Sequence, residues 1–128
     1  MLTKEKMQEW FDRAVEGLAG QGFTRSVNAG GNCRYRGVDG KKCAVGFLIE
    51  DKDYVPEWDV SNSLEGPVYL LSGCRYSVTT AAVFKFLGDL QMCHDTAYTA
   101  DADSPKKMKK NLRDFAIEHD LTIPAVLQ

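Results

Sequence analysis

Apolar residues recur at three- and four-residue spacing in three separated stretches, and that period commits most of the chain to helices with one buried face. In the first stretch Met7, Trp10, Phe11, Ala14, Val15 and Leu18 share a face. Thr3 is placed to cap it and Glu5 suits the positive end of the dipole. Gly20-Gln21-Gly22 supplies the left-handed backbone that ends a helix, so one is predicted over 4–19. A second helix is predicted from Thr79 or Thr80, carrying Val83, Phe86, Leu87, Leu90, His94 and Ala97. The third starts at Ser104-Pro105, an N-cap followed by proline at the first helical position. Met108, Leu112, Phe115, Ala116 and His119 line its buried face. Pro124 stops regular structure, and Leu121, Ile123 and Val126 are expected to fold the tail onto the core.

The segments between the helices carry turn chemistry. Ser26–Asn32 is polar and glycine-bearing and reads as a loop. Cys33-Arg34-Tyr35-Arg36 alternates and then meets Gly37-Val38-Asp39-Gly40, a strong hairpin signal. The run Cys43–Ile49 is apolar on every side, so periodicity leaves strand and short helix both open, with a slight balance toward helix. Residues 50–66 are acidic, with Tyr54 and Trp58 interleaved and Pro56 breaking regularity; a structured loop with one helical turn is expected. Val68–Leu71 reads as a short strand broken by Ser72-Gly73, and Asp101–Ser104 as a polar break. The fold class that follows is α+β: a mainly helical single compact domain over 1–128, with a small antiparallel hairpin or short sheet. At 128 residues, 44% hydrophobic and 27% charged, the chain has an ordinary globular balance for one domain.

Charge and cysteines narrow the setting. With 16 basic and 18 acidic residues the net charge is −2, so no global field draws the chain to nucleic acid or a membrane surface. Cys33, Cys43, Cys74 and Cys93 make a poor disulfide framework for a chain large enough to fold without staples. Charged residues stand at Lys4, Glu5 and Lys6, where a secretory leader would build its apolar run, and no apolar stretch is long enough to cross a bilayer. Reduced thiols in a cytoplasm are the expectation.

No run amounts to a catalytic or cofactor motif. Zinc sites usually close small loops with paired ligands such as C-x-x-C, whereas Cys33 and Cys43 stand ten apart and Cys93 abuts His94. Buried thiols acting as small hydrophobes are expected, with no metal and no cofactor. His94-Asp95 and His119-Asp120 imitate the H…HD part of metal phosphohydrolases, which activate water on bound ions. No Asp follows Asp120 to complete that set. Helix-terminal histidines explain both pairs. Cys93 and His94, adjacent on a helix, point about 100° apart and do not pair as nucleophile and base. Gly37-Val38-Asp39-Gly40-Lys41-Lys42 lacks phosphate-loop spacing. Two charge clusters remain. Lys106, Lys107, Lys109, Lys110 and Arg113 crowd the start of the last helix, with Asp101 and Asp103 partly offsetting them; a solvated face is favoured there over a phosphate patch. The acidic stretch Glu50, Asp51, Asp53, Glu57 and Asp59 carries Tyr54 and Trp58, the mixture of charge and aromatic surface found at interfaces.

Cys33-x-Tyr35-Arg36, then Gly40-x-Lys42-Cys43-Ala44-Val45-Gly46-x-Leu48-Ile49, then Asp51 and Tyr54, resemble a family of small uncharacterised proteins of phages and bacteria. Leu90-Gln91 with His94-Asp95 resembles that family's second signature, and the closing helix through Ala116 and Leu121 extends the likeness. The resemblance implies a phage accessory gene acting inside a bacterial host, and proteins of that kind often disable a host protein, including defence systems. The expected function is therefore a small binding protein that modulates or inhibits a host protein, with no catalytic residue assigned. Its expected surface is Arg34, Arg36, Asp51, Tyr54, Glu57 and Trp58. Two alternatives of other classes stand beside it: a metal-dependent hydrolase using His94, Asp95 and His119, and a nucleic-acid accessory protein using the Lys106–Arg113 patch. Nucleic acid is the less favoured partner.

Overall fold

The computed structural model describes residues 1–73, 77–100 and 102–128. Cys74 and Asp101 lie outside the described residues. The chain runs α1 (Lys4–Gly20), α2 (Glu57–Ser61), α3 (Glu65–Ser72), α4 (Val78–Asp95), a two-stranded antiparallel hairpin of β1 (Tyr98–Thr99) and β2 (Ala102–Asp103), and α5 (Pro105–Glu118). It is mainly helical α+β, as its periodicity predicts.

The predicted caps form. Thr3 Oγ1 accepts from Lys6 N at 3.1 Å, and Ser104 Oγ accepts from Lys107 N at 3.2 Å. Ser77 does the same for Thr80 N at 3.0 Å, which starts α4 at Val78. α4 packs against α3 on one side and α5 on the other, while α1 packs against the short turn Val45–Leu48. At the centre Phe115 stacks on Phe11, centroids 5.4 Å apart, and meets Phe86 edge-on at 5.2 Å. Leu18, Leu87, Leu90, Met108 and Leu112 are fully buried around them. Burying each such side chain contributes about 1.5–3 kcal/mol, so this three-helix seam is the main source of stability.

Several expectations are corrected. Val68–Leu71 is not a strand but the middle of α3. Pro67 occupies the first turn of that helix, where its missing N–H is harmless, and Gly73 closes the helix at φ 73°. Residues 50–66 hold more than one helical turn: Asp51–Asp53 is a 3₁₀ turn, Glu57–Ser61 is α2, and α3 begins at Glu65. Asp39 and Gly40 do form the predicted turn, both at positive φ (60° and 72°), but the flanking chains pair only at the bridges Arg36–Lys42 and Val27–Cys33. Among the described residues the sheet is instead formed by Tyr98–Thr99 and Ala102–Asp103, the second strand falling within the expected polar break Asp101–Ser104. Cys43–Ile49 is neither strand nor α-helix over its length; Val45–Leu48 forms a 3₁₀ turn. Gly46 permits it, because a Cβ there would stand 2.6 Å from the Tyr35 carbonyl oxygen. In the tail Leu121 is buried, but Val126 is exposed and Leu127 takes the core position. The 3₁₀ turn Ala125–Leu127 rotates Leu127 inward, and Arg113 Nη1 holds its carbonyl at 2.8 Å.

Candidate functional site

The expected surface is built on a braced segment. The guanidinium of Arg36 donates to the carbonyls of Gly46 (2.9 Å) and Ile49 (2.8 Å) and to Asp51 Oδ1 (3.1 Å), and lies over the Tyr54 ring at 4.8 Å. Asp59 accepts from the backbone N–H groups of Tyr35 (2.7 Å) and Arg36 (3.2 Å), and from the Tyr54 hydroxyl. Burial, with Asp59 beside it, pushes the Tyr54 phenol up to about 12. Trp58 meets Tyr54 edge-on at 6.2 Å and is partly buried against the core. Arg36, Tyr54 and Trp58 thus turn their groups inward and fix the segment. Asp51, Glu57 and Val60 face solvent, Val60 at 86% exposure. The Asp51 carboxyl is held below its ordinary range by Lys42 and then Arg36. Arg34 donates to the Cys33 carbonyl at 2.9 Å and lines a neighbouring cleft.

That cleft, about 210 Å³, and a second of about 430 Å³ share two lining residues, Cys33 and Asp95. Behind them is a polar node at the end of α4. His94 is fully buried; its Nε2 accepts from Ser26 N at 2.8 Å and its Nδ1 lies 2.7 Å from Asp95 Oδ1. An Nε2 that accepts carries no proton, so the imidazole proton sits on Nδ1 and is donated to Asp95. Gln91 Oε1 accepts from Val45 N (3.0 Å) while its Nε2 donates to Asp95 (3.1 Å). The runs around Cys33, Cys43 and His94-Asp95, distant in sequence, therefore meet in space.

The node is wired for structure. Burial first, and Asp95 next, push the Cys33 thiol up to about 12, away from the thiolate that nucleophilic catalysis needs. The nitrogen that would serve as its base is occupied by Ser26. Sγ of Cys33, a nitrogen of His94 and an oxygen of Asp95 lie within 4.8 Å of one another. Metal ligation through Nδ1 would displace the proton bonded to Asp95 while Nε2 stays committed to an amide donor. The buried thiols Cys43 and Cys93 are also pushed up to about 12 by desolvation.

His119 does not join this node. It faces Asp89, more than a turn earlier on α4. The lysine cluster is partly engaged by its own protein. Lys107 lies 5.8 Å over Tyr98, Lys109 lies 5.5 Å over Phe23, and Lys110 pairs with Asp114 at 2.7 Å. Sequence reasoning missed the bracing by Asp59, the Ser26 amide on His94 and the double role of Gln91. Of Asp59, Ser26 and Gln91 only Gln91 falls within a signature run, and nothing in the sequence pattern signals the bonds that they make. No family model matches the chain, and no curated protein or solved structure matches it.

Proposed function

We propose that this chain is a binding protein without catalytic residues of its own, which engages another protein through the solvent face of the segment from Arg34 to Val60. The resemblance of its signatures makes that partner a bacterial host protein and the chain a phage-encoded modulator. One observation carries the reading: a stretch of short 3₁₀ and α turns without a long helix or strand is cross-braced by Asp59 and Arg36, and presents Asp51, Glu57 and an 86% exposed Val60 outward. Preorganised surfaces avoid the ordering entropy that weakens flexible binders. An exposed apolar side chain on a segment that also exposes acidic groups mixes the apolar and polar surface that interfaces combine. Among the described residues, no helix is long and apolar enough to cross a membrane.

The experiment is capture of partners from bacterial lysate by the wild type and by two surface variants, Val60→Asp and Glu57→Lys. Neither position is buried, so both variants should fold. A partner retained by the wild type and lost from both supports the proposed face. A partner lost instead when Lys106, Lys107 and Lys110 are changed to Glu, with salt-sensitive binding to nucleic acid, favours the α5 patch.

A further inference from the structure

The imidazole of His119 packs against both Phe115 and Phe86, with ring centroids 4.3 and 5.3 Å away. Its Nε2 is shut off from solvent and has no hydrogen-bond partner. A buried polar atom left in that state has given up its water without a replacement, so a partner is called for. The ring lies beside a pair of carboxylates. Asp89 Oδ2 of α4 stands 3.7 Å away, and Glu118, the last residue of α5, adds a second; one ligand atom from each of the three lies within 4.8 Å of the others. At 3.7 Å nitrogen and oxygen are too far apart for a hydrogen bond. The separation is close to the roughly 3.4 Å between two ligands on a tetrahedral ion with bonds of about 2.0–2.1 Å.

We propose that Asp89, Glu118 and His119 form a site for a divalent transition-metal ion of the zinc class at the seam of α4 and α5. One imidazole and two carboxylates are ligands that zinc accepts, and together they supply two negative charges. Contact with the two phenyl rings holds the imidazole in place before the ion arrives. Lys85, 74% exposed, places its ammonium 2.9 Å from Asp89 Oδ2, so a cation already occupies this field and a divalent ion would replace it. An open cleft of about 290 Å³, lined by Lys85, Asp89, Asn111, Asp114 and Glu118, reaches the two carboxylates of the set from solvent. The Cys33–His94–Asp95 group is the natural comparison, and there no ring nitrogen is left without a partner.

The test is titration of the chelator-treated full chain with zinc chloride by calorimetry, with Co²⁺ as a spectroscopic substitute. Expected are one saturable site per chain and the intense visible bands of four-coordinate Co²⁺. Glu118→Gln, at an exposed position that cannot unfold the protein, and Asp89→Asn should each weaken zinc by more than the roughly tenfold that even outer-shell changes cost. Lys85→Ala should bind at least as tightly as the wild type, and Cys33→Ser should leave the affinity unchanged. A wild-type titration without saturable binding overturns the proposal. So does zinc binding that survives both carboxylate variants, or that is lost with Cys33→Ser.

Discussion

The imidazole of His94 takes the backbone N–H of Ser26 at 2.8 Å, so the last turn of α4 holds the chain that has just left α1. Ser26 is itself fully buried, and its hydroxyl donates to the Lys41 carbonyl at 3.1 Å. Two residues of a polar pair thereby tie together a helix end, a loop and the Asp39-Gly40 turn. Most of the irregular half of the molecule hangs on such bonds and not on ladders of strands.

His94→Ala should therefore destabilise the fold by about 2–5 kcal/mol, because it leaves a cavity and strands a buried amide. Urea unfolding with an unchanged slope and a lowered midpoint would show it. A loss below 0.5 kcal/mol, within the range of an ordinary surface change, would mean the node is not structural.

Asp59→Ala should cost about 1.5–3 kcal/mol, since the carboxylate serves two amides and a phenol. Hydrogen exchange should quicken first at the Tyr35 and Arg36 amides, which it accepts from directly. Uniform quickening across α1, α4 and α5 instead would mean that Asp59 supports the whole core.

Cys33 is only partly buried, yet its thiol is pushed up to about 12. At neutral pH it should react with iodoacetamide more slowly than a free cysteine, because the thiolate is the reacting form. Asp95→Asn removes a negative charge beside it and should speed the reaction. Faster alkylation of the wild type than of a free thiol would contradict the wiring described for the node.

Alkaline pH should weaken the protein. The thiols of Cys33, Cys43 and Cys93 move from an ordinary value of 9.0 to about 12 in the folded chain. The unfolded chain sheds these protons first, so between those values it binds fewer protons than the native state, and stability falls as pH rises. The contribution is complete below about pH 9 and declines toward about pH 12. Urea midpoints measured across this range should drop, and Cys43→Ala should flatten the drop.

α1 and α5 were legible because apolar period and caps agree, as at Thr3, Ser104 and Pro105, whereas α4 was legible from its period alone: its cap Ser77 was not read, and Ala97 lies past its end at Asp95. α3 was not, because four apolar residues, Val68–Leu71, fit a strand as well as a helix, and only the docking against α4 decides. The pairing of Tyr98–Thr99 with Ala102–Asp103 was hidden because the chain leaves the first strand through Ala100 at φ 47°, a conformation alanine does not advertise. At the candidate surface the sequence put Arg36 and Tyr54 among the contact residues. The structure shows them bracing the segment from within, since a guanidinium that reaches four oxygens gives no sign of it in a one-dimensional pattern.

The central claim is that the protein works through the outward face of the braced segment, and site-specific photo-crosslinking in bacterial cells tests it most directly. A photoreactive residue at position 60 should yield a discrete adduct with one bacterial protein. The same probe at position 110 on α5 should yield none. Adducts formed at position 110 and absent at position 60 would contradict the account.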